Sequence, residues 1–249
     1  MDGYSPLLIA TVAATFFAAG VVKGVTGMGL PTVAMGVLGA LLSPLAAASL
    51  LLVPSFVTNV WQLVAGPSLG TLARRLWPMT AAIALGTVLC SSLLAGGESR
   101  LLTACLGGTL VVYAAYTLFA RQLAVPRKLE PWLSPAIGLA TGAITGGTGV
   151  LVIPAVPYLQ ALRLEKDDLV QALGISFTVS TLALAAGLAG RNAVRMEALA
   201  ISALGVIPAL AGMWAGQLLR ERISPATFRR WFLIALLILG TEMASRLLR

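Results

Sequence analysis

Long apolar runs separated by short polar loops fill the chain from Leu7 to Ala244. A window of bilayer length divides them into ten segments, five in each half. In the first half they cover Leu7–Val22, Met28–Leu42, Leu45–Ala65, Trp77–Ala95 and Leu101–Ala120. In the second they cover Trp132–Ile144, Val150–Leu162, Leu169–Ala189, Ala198–Leu219 and Phe228–Ala244. The first two of each half fall short of the roughly 20 residues a spanning helix needs, and the other three are long enough to cross.

The pattern predicts an all-α, polytopic membrane protein made of two repeats. Residues 1–120 form the first, 121–131 a charged cytoplasmic linker, and 132–249 the second. Each repeat is expected to open with a glycine-broken helix pair, re-entrant or half-length. Internal similarity supports the duplication. Gly27-Met28-Gly29 aligns with Gly147-Thr148-Gly149 at an offset of 120, and Leu52-x-x-Ser55-Phe56 with Leu173-x-x-Ser176-Phe177 at 121.

Composition agrees with a lipid solvent. Of 249 residues, 58% are hydrophobic and 10% charged, against about 25% charged in a soluble domain. The mean hydropathy is +0.93. The net charge of +8 sits in loops rather than on one stripe or arm, which speaks against nucleic acid and for contact with a bilayer surface. Met1-Asp2-Gly3-Tyr4-Ser5-Pro6 lacks a basic leader, so the first apolar run reads as a retained span.

Charge bias then sets orientation. If the five segments of a half exchange sides, one face collects Arg74, Arg75, Arg121, Arg127, Lys128, Arg163, Lys166, Arg220, Arg222, Arg229 and Arg230. The other keeps Arg100, Arg191, Arg195, Arg246 and Arg249. The richer face is expected to be cytoplasmic. The halves would then be inverted repeats, an arrangement that recurs in secondary transporters.

Candidate chemistry is sparse. The chain has no histidine, and Cys90 and Cys105 lie inside apolar runs as packing residues. No metal motif, Walker loop or paired carboxylate appears, so neither an enzyme nor a cofactor is expected.

The glycine-rich stretches Lys23–Pro31 and Thr141–Val150 carry the sharpest signal. Broken backbone in a membrane must be buried in protein or line a wet cavity, and a restarting helix offers free N–H groups to an anion. Two such breaks could face each other near the midplane and hold one oxyanion; the competing reading is close helix packing through small residues. The candidate donors are Thr26, Gly27 and Gly29 in the first break, and Thr145, Gly146, Gly147, Thr148 and Gly149 in the second.

Lys23 is the lone charge between Asp2 and Arg74. It either faces a cavity or snorkels to the interface. Ser55, Asn59 and Gln62 share one helical face by their spacing, and Ser176 and Ser180 match the first two. Such a stripe lines a solute path or bonds helix to helix.

Two stretches resemble the sulfite exporter TauE/SafE family of membrane transporters. They are Lys23-Gly24-Val25-Thr26-Gly27-Met28-Gly29-Leu30-Pro31 and Gly138 through Gly149, and the likeness extends over nearly the whole chain. The resemblance implies a multi-pass protein of a bacterial-type cytoplasmic (inner) membrane. It would move a small sulfur anion such as sulfite, thiosulfate or a sulfoacetate-like sulfonate, coupled to a proton or sodium ion. A passive anion channel and a non-transporting membrane anchor are the alternatives, and a homodimer is compatible with the sequence.

Overall fold

The computed structural model describes residues 6–120 and 124–247. Met1–Ser5, Arg121 and Arg249, which entered the readings above, lie outside them. Every regular element among the described residues is a helix. In the first half these are α1 (Pro6–Thr26), α2 (Leu30–Leu41), α3 (Pro44–Ala65), α4 (Leu69–Gly96) and α5 (Ser99–Phe119). The second half has α6 (Glu130–Thr148), α7 (Ala155–Ala161), α8 (Lys166–Ala189), α9 (Met196–Leu204), α10 (Val206–Arg222) and α11 (Pro225–Ser245). Six segments are long and apolar enough to cross a bilayer: α1, α3, α4, α5, α8 and the run Met196–Arg222.

The outer surface suits lipid. Leu85, Leu89 and Leu93 form an exposed stripe on α4 at a spacing of four, which water would penalise and acyl chains do not. All five tryptophans are exposed, each in the half of its helical segment nearer the arginine-rich end, where an aromatic belt belongs. Inside, Phe16, Met35, Leu38, Leu51, Leu106 and Phe177 join α1, α2, α3, α5 and α8 in one core.

Local signals explain several helix ends. Ser43 caps α3 by accepting the Ala46 N–H at 3.2 Å, with Pro44 in the first turn. Asp167 and Asp168 sit in the first turn of α8, at its positive dipole end. Pro54 inside α3 cannot donate to Leu50, four residues back. Ser202 answers this from α9: its hydroxyl donates to Leu50 O at 2.6 Å and accepts the Val53 N–H at 3.1 Å. The exchange pins α9 to α3 beside the polar stripe.

Glycines lock the longest contacts. On α6, Gly138, Gly142 and Gly146 lie against the backbone of Met79, Ile83 and Thr87 of α4, four residues apart on both helices. On α1, Gly20 and Gly24 lie against Ala209 and Met213 of α10 in the same way. Equal steps in the same direction make both pairs parallel. By contrast α3 runs antiparallel to α8, with Ser55 beside Thr181 and Leu63 beside Gly174. α5 runs antiparallel to α11, with Arg100 bonded to Arg246 O and Gly107 against Gly240.

The expectation of two half-length openings is corrected here. α1 has 21 residues and α6 has 19, so helix continues through Lys23 and Gly24 and through Gly146 and Gly147. Those glycines sit where another backbone approaches too closely for a Cβ, or in ordinary helix, and they do not break the chain. The turns are confined to Gly27 (φ 79°) and Gly29 (φ 102°) in one half and Gly149 (φ 74°) in the other, left-handed conformations that favour glycine. The short members are α2, with 12 residues, and α7, with 7.

Candidate functional site

The site begins at Lys23. α1 carries it to the seam with α3, where it is 1% exposed. Its ammonium donates to Asn59 Oδ1 and, at 3.1 Å, to Thr58 Oγ1. Among the described residues no carboxylate pairs with it; the ion pairs there are Arg75–Glu130 and Arg246–Glu242. A buried ammonium without a counter-charge is costly.

A string of polar side chains continues from it. Asn59 Nδ2 donates to Ser55 Oγ at 3.0 Å, and Ser55 Oγ meets Thr181 Oγ1 of α8 at 3.2 Å. Lysine fixes the amide orientation, because only the oxygen of Asn59 can accept from it. One turn above, Gln62 Nε2 donates to Gly27 O at 2.6 Å and ties α3 to the break.

Lys23 lies at the buried end of a cavity of about 480 Å³. Gly24, Gly27, Gln62 and Met213 line its depth, with Trp61, Gln217, Arg220 and Glu221 towards its mouth. The mouth lies where α3 and α10 end and α8 begins, the side that carries most lysine and arginine. Thr58 is seven residues from the end of α3, so Lys23 lies roughly 10 Å inside it at 1.5 Å per residue.

Backbone donors at the first break are partly spent. Gly27 N–H bonds Lys23 O at 2.8 Å and Met28 N–H reaches Thr26 Oγ1 at 3.3 Å. The Thr26 hydroxyl lies 2.8 Å from Val22 O. Gly29, Leu30 and Thr32, at the start of α2, have N–H groups with no acceptor among the described residues. The Thr32 hydroxyl is buried there without a partner.

The second group of predicted residues lies elsewhere. Gly149 N–H bonds Thr145 O at 2.8 Å, Thr145 Oγ1 contacts Val150 O at 3.1 Å, and Thr148 Oγ1 donates to Ile144 O at 2.7 Å. Gly146 faces α4, and Gly147 is ordinary helix with only Leu93 nearby. Gly149 is level with Met35 and Ala48, whereas Gly27 is level with Gln62. Ala48 and Gln62 are 14 residues apart on α3, or roughly 20 Å. The two breaks therefore do not face each other at the midplane, because each closes a nearly full-length helix at an opposite end of the bundle.

The structure also shifts the alignment between halves. Thr26-Gly27 and Thr148-Gly149 share a left-handed glycine and a threonine that bonds four residues back and accepts from two residues on. Gly20 and Gly24 match Gly142 and Gly146 at the same offset of 122. Lys23 thus corresponds to Thr145, two positions from where the Gly-x-Gly match put it.

Ser176 is buried, but its hydroxyl donates to Ala172 O in its own helix at 2.9 Å, and Thr181 makes the link to Ser55 instead. Gln217 and Arg220 are the residues that motif reading missed. Their spacing of three on one face of α10 was the available signal, without any clue to the helix they would meet.

Family comparison covers most of these residues. The chain matches the family described as Sulfite exporter TauE/SafE over residues 12–243. No curated protein and no solved structure matched it. The match takes in both breaks, the Lys23 cavity and all the candidate spans in whole or in large part, and the family is one of transporters rather than enzymes. A multi-pass chain whose only buried lysine among the described residues lines a cavity accords with that membership: this protein belongs to the sulfite exporter TauE/SafE family of membrane transporters.

Proposed function

We propose that the chain is a secondary transporter that moves a small sulfur oxyanion or organosulfonate by alternating access, with Lys23 holding the anion. The observation that carries this reading is an ammonium buried in the lining of a cavity with no ion pair to any carboxylate among the described residues. Thr58 and Asn59 occupy two of its three N–H donors. The third donor and the charge are left for a solute, and an anion there would offset the desolvation that the empty site bears.

The cavity runs from exposed Trp61 and Glu221 to buried Lys23. Beyond Lys23 the polar string of Asn59, Ser55 and Thr181 is buried among α1, α3 and α8. A channel needs a continuous wet path, whereas a carrier exposes its site to one side at a time. Inverted repeats supply a way to alternate. In support, α3 and α8, and α5 and α11, run antiparallel, and the threonine–glycine breaks repeat at opposite ends. In the same reading Thr26, Gly27 and Gly29 border the inner site, Ser55 and Asn59 floor it, and Thr145 through Gly149 with Ser176 serve the outward-open state. A coupling proton or sodium ion and a homodimeric assembly complete the proposal.

A thermal-shift screen of sulfur oxyanions, sulfonates and carboxylates tests it on purified protein. A ligand at about 100 times its Kd stabilises by about 2.7 kcal/mol. Sulfur anions are expected to raise the unfolding temperature of the native chain and not of Lys23→Gln. Equal shifts in both proteins would remove Lys23 from the site.

A further inference from the structure

Gln62 sits beside Lys23 in the same cavity and is 7% exposed. Its amide orientation is set by chemistry. Gly27 O can only accept, so the 2.6 Å contact belongs to the Nε2 donor. That leaves Oε1 as an acceptor, and it is buried with no hydrogen-bond partner among the described residues. Buried acceptors are almost always satisfied, and each exception calls for an explanation.

Among the described residues nothing meets the demand: Gln217 and Arg220 line the same cavity but neither bonds Gln62 Oε1. Lys23 is already turned to Thr58 and Asn59 of α3. Among the described residues, two complementary needs therefore meet in the lining of one cavity: a cation with no ion pair and an acceptor with no hydrogen bond. A fully deprotonated oxyanion answers the first and aggravates the second, because two acceptors then face each other. A solute with both a negative group and an O–H answers both.

Resting on the anion site proposed above, we infer that the preferred solute carries a hydroxyl donor beside its charge, with Gln62 Oε1 as the specificity-determining acceptor. This class comprises protonated oxyanions of the hydrogensulfite type and hydroxylated sulfonates. A site that bonds a solute hydroxyl discriminates strongly against the analogue lacking it, since its own polar group is then left unpaired.

The probes are 2-hydroxyethanesulfonate and ethanesulfonate, which share charge and sulfonate and differ by one hydroxyl. Calorimetric titration of the full chain at one pH and salt concentration should show at least tenfold tighter binding of the hydroxylated probe. In Gln62→Met the ratio should fall to about one. Equal affinity in the native chain overturns the inference, and so does a ratio that persists in Gln62→Met. If both probes bind equally and Lys23→Gln abolishes both, the hydroxyl inference fails while the anion site stands. If neither probe binds the native chain, or Lys23→Gln binds both unchanged, the anion site itself fails.

Discussion

Asn59 bridges the two demands on α3: its oxygen accepts from Lys23 and its nitrogen donates to Ser55. Asn59→Leu would leave both partners short inside a dry seam, which costs about 1–3 kcal/mol. Chemical or thermal unfolding without anion should report that loss, and saturating anion should restore part of it by pairing the lysine. An unchanged midpoint would mean that the amide is not structurally engaged. Lys23, Thr26, Ser55 and Asn59 were legible in the sequence because polar groups stand out in apolar runs. Gln217 and Arg220 were not, since their place in the cavity depends on α10 docking against α1, some 190 residues away in the chain. Ser176 shows the opposite limit. Its match to Ser55 is real in sequence, yet helical geometry turns its hydroxyl to Ala172 and gives the cross-helix contact to Thr181.

Among the elements, the parallel pairs α1–α10 and α4–α6 are held by glycine surfaces. A Cβ at Gly146 would collide with the backbone of Thr87, Cys90 and Ser91, whereas one at Gly147 meets only Leu93 Cδ1 at 3.7 Å. Gly146→Ala is therefore expected to destabilise by about 1–3 kcal/mol, the usual cost of overpacking. Gly147→Ala should be neutral or stabilise by up to about 1 kcal/mol through helix propensity. Parallel unfolding curves of the two variants check this, and equal effects would contradict the packing. The same contrast explains why the sequence predicts longer breaks, and shorter opening helices, than the structure has. In water, dense glycine argues against helix, but in lipid it lets helices approach. Only positive φ distinguishes Gly27, Gly29 and Gly149 from the packing glycines, and composition does not encode φ.

At the scale of the molecule, the all-helical, multi-pass character follows from hydropathy alone, and the ten apolar segments keep the order of the helices, with the widest misses at α4, which begins at Leu69 rather than Trp77, and at Ala198–Leu219, which is two helices, α9 and α10. The inverted arrangement proposed above can be tested by sidedness. The turn between α3 and α4 should face the cytoplasm, and its counterpart between α8 and α9 the opposite side. With Cys90 and Cys105 replaced by alanine, Arg195→Cys should react with a membrane-impermeant maleimide on intact cells. Pro67→Cys should react only after lysis. Labelling of both positions from one side would exclude inversion.

The central claim, that a sulfur anion crosses by way of the Lys23 cavity, is tested most directly by counterflow in proteoliposomes. Vesicles loaded with unlabelled sulfite and diluted into a trace of labelled sulfite should accumulate the label transiently with the native chain, as a carrier does. Lys23→Gln should slow that accumulation at least tenfold. Label that merely equilibrates without overshoot would indicate a channel. No uptake above empty vesicles, or equal uptake by Lys23→Gln, would contradict the account.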